Sequence, residues 1–192
     1  MASAIDAGYD LDVVSLTDGE AAYPDDPYWS APRLAPARRA ELRDAVLALG
    51  GNPERVLHAG LGDGQLNGRL AEAISTLDRI SPDDAVLVTW TCDGHPDHEA
   101  AAEAARIACA RSGARLIQYP IWAWHWADPS AAAFLQQGAV RLPLNPAVLA
   151  RKEAAIASFR TQTGRVSPAP TAPILPAQVL SRFLRSYEVY LT

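Results

Sequence analysis

Residues 85–119 constrain the fold of this chain more than any other stretch. Residues 85–90 (Ala-Val-Leu-Val-Thr-Trp) are a largely apolar run. A tight Thr-Cys-Asp-Gly turn follows, then an Ala-rich helical pattern from Pro96 to Ser112, a Gly113 stop, and a second apolar run at residues 115–119. Strand, helix and strand in that order predict a βαβ unit, whose parallel strands are buried beneath helices. The turn closing the first strand reads Asp93-Gly94-His95-Pro96-Asp97-His98. It lies at the carboxyl end of a strand, where open α/β sheets keep their chemistry.

The rest of the chain continues the alternation. Residues 11–16 (Leu-Asp-Val-Val-Ser-Leu) predict a buried strand, followed by a Pro-rich loop from Pro24 to Pro36 and a helix over residues 38–49 with Leu42, Val46 and Leu49 on one face. A short strand at residues 55–58 leads through Gly60-Leu61-Gly62-Asp63-Gly64 into a helix with Leu66, Leu70, Ile74 and Leu77 in register. Asn145-Pro146 is a good N-cap and first-turn pair for a helix reaching Gln162. A Pro-rich connector at 167–176 precedes a last helix over 177–185. The expected architecture is one α/β domain, Rossmann-like, with a mainly parallel sheet and helices on both faces. Residues 2–7 followed by Gly8 read as the last turns of a helix, so the strand that should precede it in a βαβ order is expected to be missing.

Composition narrows the function. A net charge of -5 argues against an electrostatic nucleic-acid or anionic-membrane surface. No apolar run is long enough to span a bilayer, and the start lacks the basic region and apolar core of a signal peptide. Two cysteines, Cys92 and Cys109, fit reduced thiols better than a disulfide framework, so a cytoplasmic protein is expected.

Four stretches are candidates for chemistry. In the first, His95 and His98 with Asp97 between them suit metal binding or acid–base work, the simpler alternative being a capped helix start. A zinc site needs three protein ligands and an open position, and this turn supplies one or two. The second, Gly60 to Gly64 after a strand, resembles the nucleotide-binding start of S-adenosylmethionine-dependent methyltransferases, although the acidic residue expected with it is absent. The third is the cluster Trp122, Trp124, His125 and Trp126, which reads either as a plug over the sheet edge or as the wall of a ligand pocket. Last, Asp25 and Asp26 in Tyr-Pro-Asp-Asp-Pro read as solvated turn residues.

These residues carry a family resemblance. Residues 13–20 (Val-Val-Ser-Leu-Thr-Asp-Gly-Glu), Arg39-Ala40-Glu41-Leu42, Gly94-His95-Pro96-Asp97-His98 and Tyr119-Pro120-Ile121-Trp122 all contribute. So do Lys152-Glu153-Ala154-Ala155, Thr161-Gln162 and Glu188-Val189-Tyr190. Together they resemble the zinc-dependent de-N-acetylases of the PIG-L/LmbE type, which include N-acetylglucosaminyl-phosphatidylinositol deacetylase and the mycothiol and bacillithiol pathway deacetylases. The resemblance covers nearly the whole chain and implies a single deacetylase domain over residues 1–192, truncated at its N-terminus. It implies a hydrolase that removes an N-acetyl group from an amino sugar or its conjugate, with zinc as cofactor.

By the same resemblance His98 is a zinc ligand, His95 assists the tetrahedral intermediate or the leaving amine, and Asp97 orients His95 and raises its basicity. Trp122, Trp124 and His125 are expected to shape the substrate site. The family's other motif, His-Pro-Asp-Asp-Glu, which supplies two zinc ligands and the general base, is absent. With His98 alone, weak zinc binding and negligible turnover are expected. A non-catalytic relative acting as a binding protein is the alternative, and a methyltransferase-like nucleotide binder a more distant one. Self-association into a homo-oligomer is left open by the sequence.

Overall fold

The βαβ unit at residues 85–119 forms as the sequence predicts. In the computed structural model, which describes residues 1–128, 138–170 and 172–191, strand Ala85–Thr89 pairs in parallel with strand Arg115–Tyr119, from Ala85 opposite Arg115 to Thr89 opposite Tyr119. The connecting helix, Pro96–Ser112, has the predicted bounds and ends on Gly113 at φ 82°. It packs against both strands and against the helix Leu70–Thr76, and its buried positions are mostly alanines: Ala100, Ala102, Ala104, Ala105 and Ala108. Small side chains let helix and strands approach closely, which is how an Ala-rich helix of low amphipathicity still buries a face.

The chain divides into two compact units, residues 1–63 with 143–186, and residues 64–142 with 187–192. In chain order the elements are α1 (Ala2–Asp6), β1 (Val13–Ser15), α2 (Ala31–Ala48), β2 (Val56–His58), α3 (Leu70–Thr76), β3 (Ala85–Thr89), α4 (Pro96–Ser112), β4 (Arg115–Tyr119), α5 (Ala123–Trp126), β5 (Ala139–Pro143), α6 (Pro146–Ser158), α7 (Arg160–Thr163), α8 (Ala177–Phe183) and β6 (Tyr187–Leu191). Thr171, within the predicted connector, lies outside the described residues.

The first unit holds a two-stranded parallel sheet, with Val13 opposite Val56 and Ser15 opposite His58. Helix α2 packs against α6. Beside it, Tyr23, Trp29 and Leu34 form a buried cluster that Ala37, Val166 and Ile174 cover. This cluster explains a difference from the sequence reading. Residues 31–36 were expected in a Pro-rich loop, yet α2 begins at Ala31 and runs through Pro36. Pro32 sits in the first turn, where a missing N–H costs nothing. Burying Leu34 completely then outweighs the loss at Pro36. The helix expected over 146–162 also breaks, at Phe159. Glu41, buried on α2, accepts from the Thr161 backbone N–H and hydroxyl, both at 2.8 Å. The amide that would have continued the helical ladder is captured by a carboxylate from another element.

The second unit holds a four-stranded sheet in the order β3-β4-β6-β5. A single mainly parallel sheet was expected, and the structure corrects this to two small sheets, the larger of them mixed. Strand β6 joins β4 antiparallel, with Gln118 opposite Leu191. A strand added antiparallel needs no crossover helix of its own. The short segments β5 and β6 carry no long apolar run and were not read as strands. Among the described residues, no helix is long and apolar enough to cross a membrane.

Candidate active site

Because β3 and β4 run parallel, their carboxyl ends lie side by side in the second unit, and the loops that follow them carry the candidate site. After β3 come residues 90–95 and the start of α4. After β4 come Pro120, Ile121, Trp122 and the single turn α5. The ladder extends one step into these loops through the Trp90 N–H, which donates to the Tyr119 carbonyl at 3.0 Å.

His95 is the N-cap of α4. Its ring Nδ1 accepts from the backbone N–H of Asp97 at 3.2 Å, so the proton of the neutral ring sits on Nε2. His98, one turn on, lies with its ring centre 4.5 Å from that of His95. The Asp97 side chain is buried, and its carboxylate accepts from the backbone N–H groups of Gly64 at 2.6 Å and Leu66 at 3.2 Å. It was expected to orient His95 through its side chain. The geometry gives the carboxylate to the 64–66 turn and leaves the backbone N–H of Asp97 on His95. The same bonds occupy the amide of Gly64, the last glycine of the stretch that resembled a nucleotide-binding turn.

The residue that sequence reasoning passed over is Asp93. Its side chain is fully buried. Oδ1 accepts from the N–H groups of Ile121 and Ala123, each at 2.9 Å. Oδ2 accepts from Trp122 N–H at 2.7 Å and lies 2.5 Å from His98 Nδ1. Burial alone would push this carboxyl up. The His98 hydrogen bond and the three backbone N–H groups outweigh it and hold the carboxyl below its ordinary value. The Asp93 backbone oxygen is used as well, accepting from the Trp126 indole N–H at 2.8 Å. The signal in the sequence was its place, five residues before His98 and at the end of a strand turn.

Of the predicted aromatic residues, Trp122 stands edge-on to His95 with centres 5.5 Å apart and stacks on His125 at 4.2 Å. His98, His95, Trp122 and His125 thus form a continuous row of rings. Trp124 lies on α5, its N–H donating to the Ile121 carbonyl. Asp26 behaves as the turn residue it was read to be, accepting from the N–H groups of Tyr28 and Trp29.

The first unit contains a separate cavity of about 210 Å³ lined by Asp18, Arg38, His58, Phe159 and Gln162 among others. Arg38 is buried and donates through Nη1 to the Gly19 carbonyl. Among the described residues, its Nε and Nη2 and both ring nitrogens of His58 have no hydrogen-bond partner. His58 Nδ1 is 3.3 Å from Asp18 Oδ1, within ion-pair distance but off the hydrogen-bond direction.

Zinc takes three protein ligands and an open position. Among the described residues no three His, Cys, Asp or Glu side chains come together to hold a metal ion. Within the 93–98 turn, Asp97 and Asp93 commit their oxygens to backbone N–H groups and to His98, and His98 Nε2 is a donor atom they leave. The described residues do not make up a zinc site.

Three comparisons bear on this geometry. The profile of one family, described as PIG-L: GlcNAc-PI de-N-acetylase, matches residues 1–109, a stretch that includes the whole His95–His98 turn. No curated protein sequence matches the chain. Among solved structures, the conserved protein TT1542 from Thermus thermophilus superposes with a TM-score of 0.61 at 22% identity, covering 100% of this chain and 84% of that one. At that identity the likeness is one of fold.

Proposed function

Since the chain belongs to the PIG-L family, whose profile spans residues 1–109, we propose that its second unit carries the acid–base part of an N-acetyl amide hydrolase. The substrate class is an N-acetylated amino sugar or a conjugate of one, and residues 1–192 act as a single deacetylase domain of this LmbE-like type. The observation that carries the reading is the pair His95 and His98, 4.5 Å apart at the start of α4. The two free thiols, Cys92 and Cys109, suit a cytoplasmic setting.

Hydrolysis of an acetamide adds water oxygen to the carbonyl carbon, breaks the C–N bond, and needs a proton for the departing amine. The Asp97 backbone N–H holds His95 Nδ1 and leaves the hydrogen on Nε2, so the neutral ring offers a hydrogen-bond donor, and the proton the amine needs comes from the attacking water. The same N–H of His95 suits the oxygen of the tetrahedral intermediate. Asp97 positions His95 from the backbone and pins the 64–66 turn with its side chain. In the family's scheme His98 is a zinc ligand. The described residues do not complete that set. Trp122 stands edge-on to His95 with His125 stacked on it, and with Trp124 they are the proposed substrate-facing residues.

The test is release of free amine from an N-acetylglucosaminyl conjugate, with zinc supplied. Activity that falls about 10²–10⁴-fold in His95→Ala supports the assignment. No amine released by the folded wild type, or equal rates in the variant, would remove it. The second reading, a binding protein without turnover, is favoured by the metal set being incomplete among the described residues. It predicts sugar-conjugate binding by calorimetry with no product.

A further inference from the structure

We infer that Asp93 is a positioning residue that fixes which nitrogen of His98 carries the proton and, through the same carboxylate, sets the turn bearing Trp122. The inference deepens the proposed function and rests on it only for the use made of His98 Nε2.

An ionised carboxylate accepts hydrogen bonds and cannot donate them. Three backbone N–H groups, from Ile121, Trp122 and Ala123, converge on the two oxygens of Asp93, a donor set suited to the charged form. The contact from His98 Nδ1 to Oδ2, at 2.5 Å, must therefore be a donation by the ring. This places the hydrogen on Nδ1 and a lone pair on Nε2. Isolated histidine prefers the opposite arrangement, so the buried carboxylate is what selects this one. Carboxylates paired to the far nitrogen of a ligating histidine serve this purpose in metal sites generally.

The second half of the role comes from the backbone. The N–H groups of residues 121–123 lie at the start of α5, a single turn that cannot hold its shape alone. Asp93 caps it with both oxygens and accepts the Trp126 indole N–H on its backbone carbonyl. Trp122, between these anchors, packs edge-on against His95. One side chain thereby links the loop after β3 to the loop after β4, within one unit.

The experiment is long-range ¹H–¹⁵N correlation of the imidazole nitrogens in the ¹⁵N-labelled full chain, metal-free and at a pH where the rings are neutral. The wild type should show His98 with a protonated Nδ1 and a bare Nε2, and His95 with the reverse. In Asp93→Asn the amide oxygen should take the Oδ1 position, where two N–H donors meet it. The amide NH2 then faces His98 Nδ1, which must accept, and the proton moves to Nε2. An inverted His98 pattern in a folded variant supports the role, and unchanged backbone shifts elsewhere separate it from general disruption. A wild-type His98 protonated on Nε2 overturns the inference, and so does an Asp93→Asn variant that folds and keeps the wild-type pattern. The wild-type spectrum decides the tautomer even if the variant fails to fold. Adding zinc distinguishes the two claims: if the tautomer is as stated but zinc leaves the Nε2 resonance unmoved, the ligand role of His98 falls and the positioning role of Asp93 stands.

Discussion

Gly94 is a residue at which a single added carbon should disturb the candidate site directly. It adopts φ +81°, and a Cβ built there would stand 2.8 Å from Trp126 Nε1 and 3.4 Å from Cε2. Two costs follow for Gly94→Ala. The left-handed backbone costs a residue with a Cβ about 1–2 kcal/mol. The indole must also swing away, losing its hydrogen bond to the Asp93 carbonyl, worth about 0.5–1.5 kcal/mol. Trp126 is 54% exposed, so lost packing adds little to these two effects. Gly113 is the matched control. It has φ +82°, but a Cβ there meets only Pro82 at 3.7 Å, an ordinary contact. Gly113→Ala should show the backbone cost alone, and the unfolded-state effect of Gly→Ala is common to both variants. Urea unfolding followed by far-ultraviolet circular dichroism should place Gly94→Ala about 1 kcal/mol below Gly113→Ala. The native tryptophan emission should shift in the first variant and not in the second. Equal unfolding midpoints, or unchanged emission in Gly94→Ala, would show that Trp126 does not clamp the turn.

Other residues give shorter tests. Asn145→Ala removes the cap from α6, where the side chain accepts the Val148 N–H at 2.8 Å, and should cost about 1 kcal/mol in thermal or urea unfolding. Arg38→Met should be neutral or stabilising by denaturant midpoint. Burial holds its guanidinium below the ordinary arginine value, and two of its nitrogens have no hydrogen bond among the described residues to lose. With an aromatic disulfide reagent, exposed Cys92 should react at once, while Cys109, whose thiol burial pushes up, should react only as the chain unfolds; two fast thiols would contradict its burial. Burial pushes the Tyr190 phenol up to about 12 from an ordinary 10.0. The unfolded chain therefore loses this proton first, and the associated stability, complete below pH 10, should be lost as pH rises toward 12. Tyr190→Phe should flatten that part of the stability profile, and an unchanged slope would refute the assignment.

What could be read from the sequence was whatever is decided locally. Helix α4 was bounded correctly at both ends because Pro96, in its first turn, and Gly113, at its stop, impose their own backbone angles. The parallel β3–β4 pair followed from a connection long enough for a crossover helix. The misses are places where a distant residue wins. Leu34 extends α2 through two prolines because a cluster from other segments buries it. Glu41, 120 residues away in sequence, breaks the helix before Thr161. Strand β6 joins the larger sheet only once β4 exists to receive it, and its direction, which makes that sheet mixed, is invisible in its five residues. The site followed the same rule. His95, Asp97 and His98 stand out as a motif, whereas Asp93 becomes visible only when the loop after β4 brings three amides onto it.

That division bears on how the motif works. His95 and His98 are the same side chain about one helical turn apart, yet their surroundings give them opposite hydrogen patterns. His95, at the cap, receives a backbone N–H on Nδ1 and keeps its hydrogen on Nε2. His98, one turn later, gives its Nδ1 hydrogen to a carboxylate and keeps a lone pair on Nε2. The first arrangement makes a hydrogen-bond donor and the second an electron-pair donor, the two functions an amide-hydrolysing site has to keep apart. Neither arrangement needs a distinctive residue at the histidine itself. One arises because a helix start leaves an N–H to be satisfied. The other arises because a buried carboxylate, already charged by three amides, has no hydrogen to give. Exchanging the two roles would require moving Asp93, and changing His95 or His98 alone would not do it.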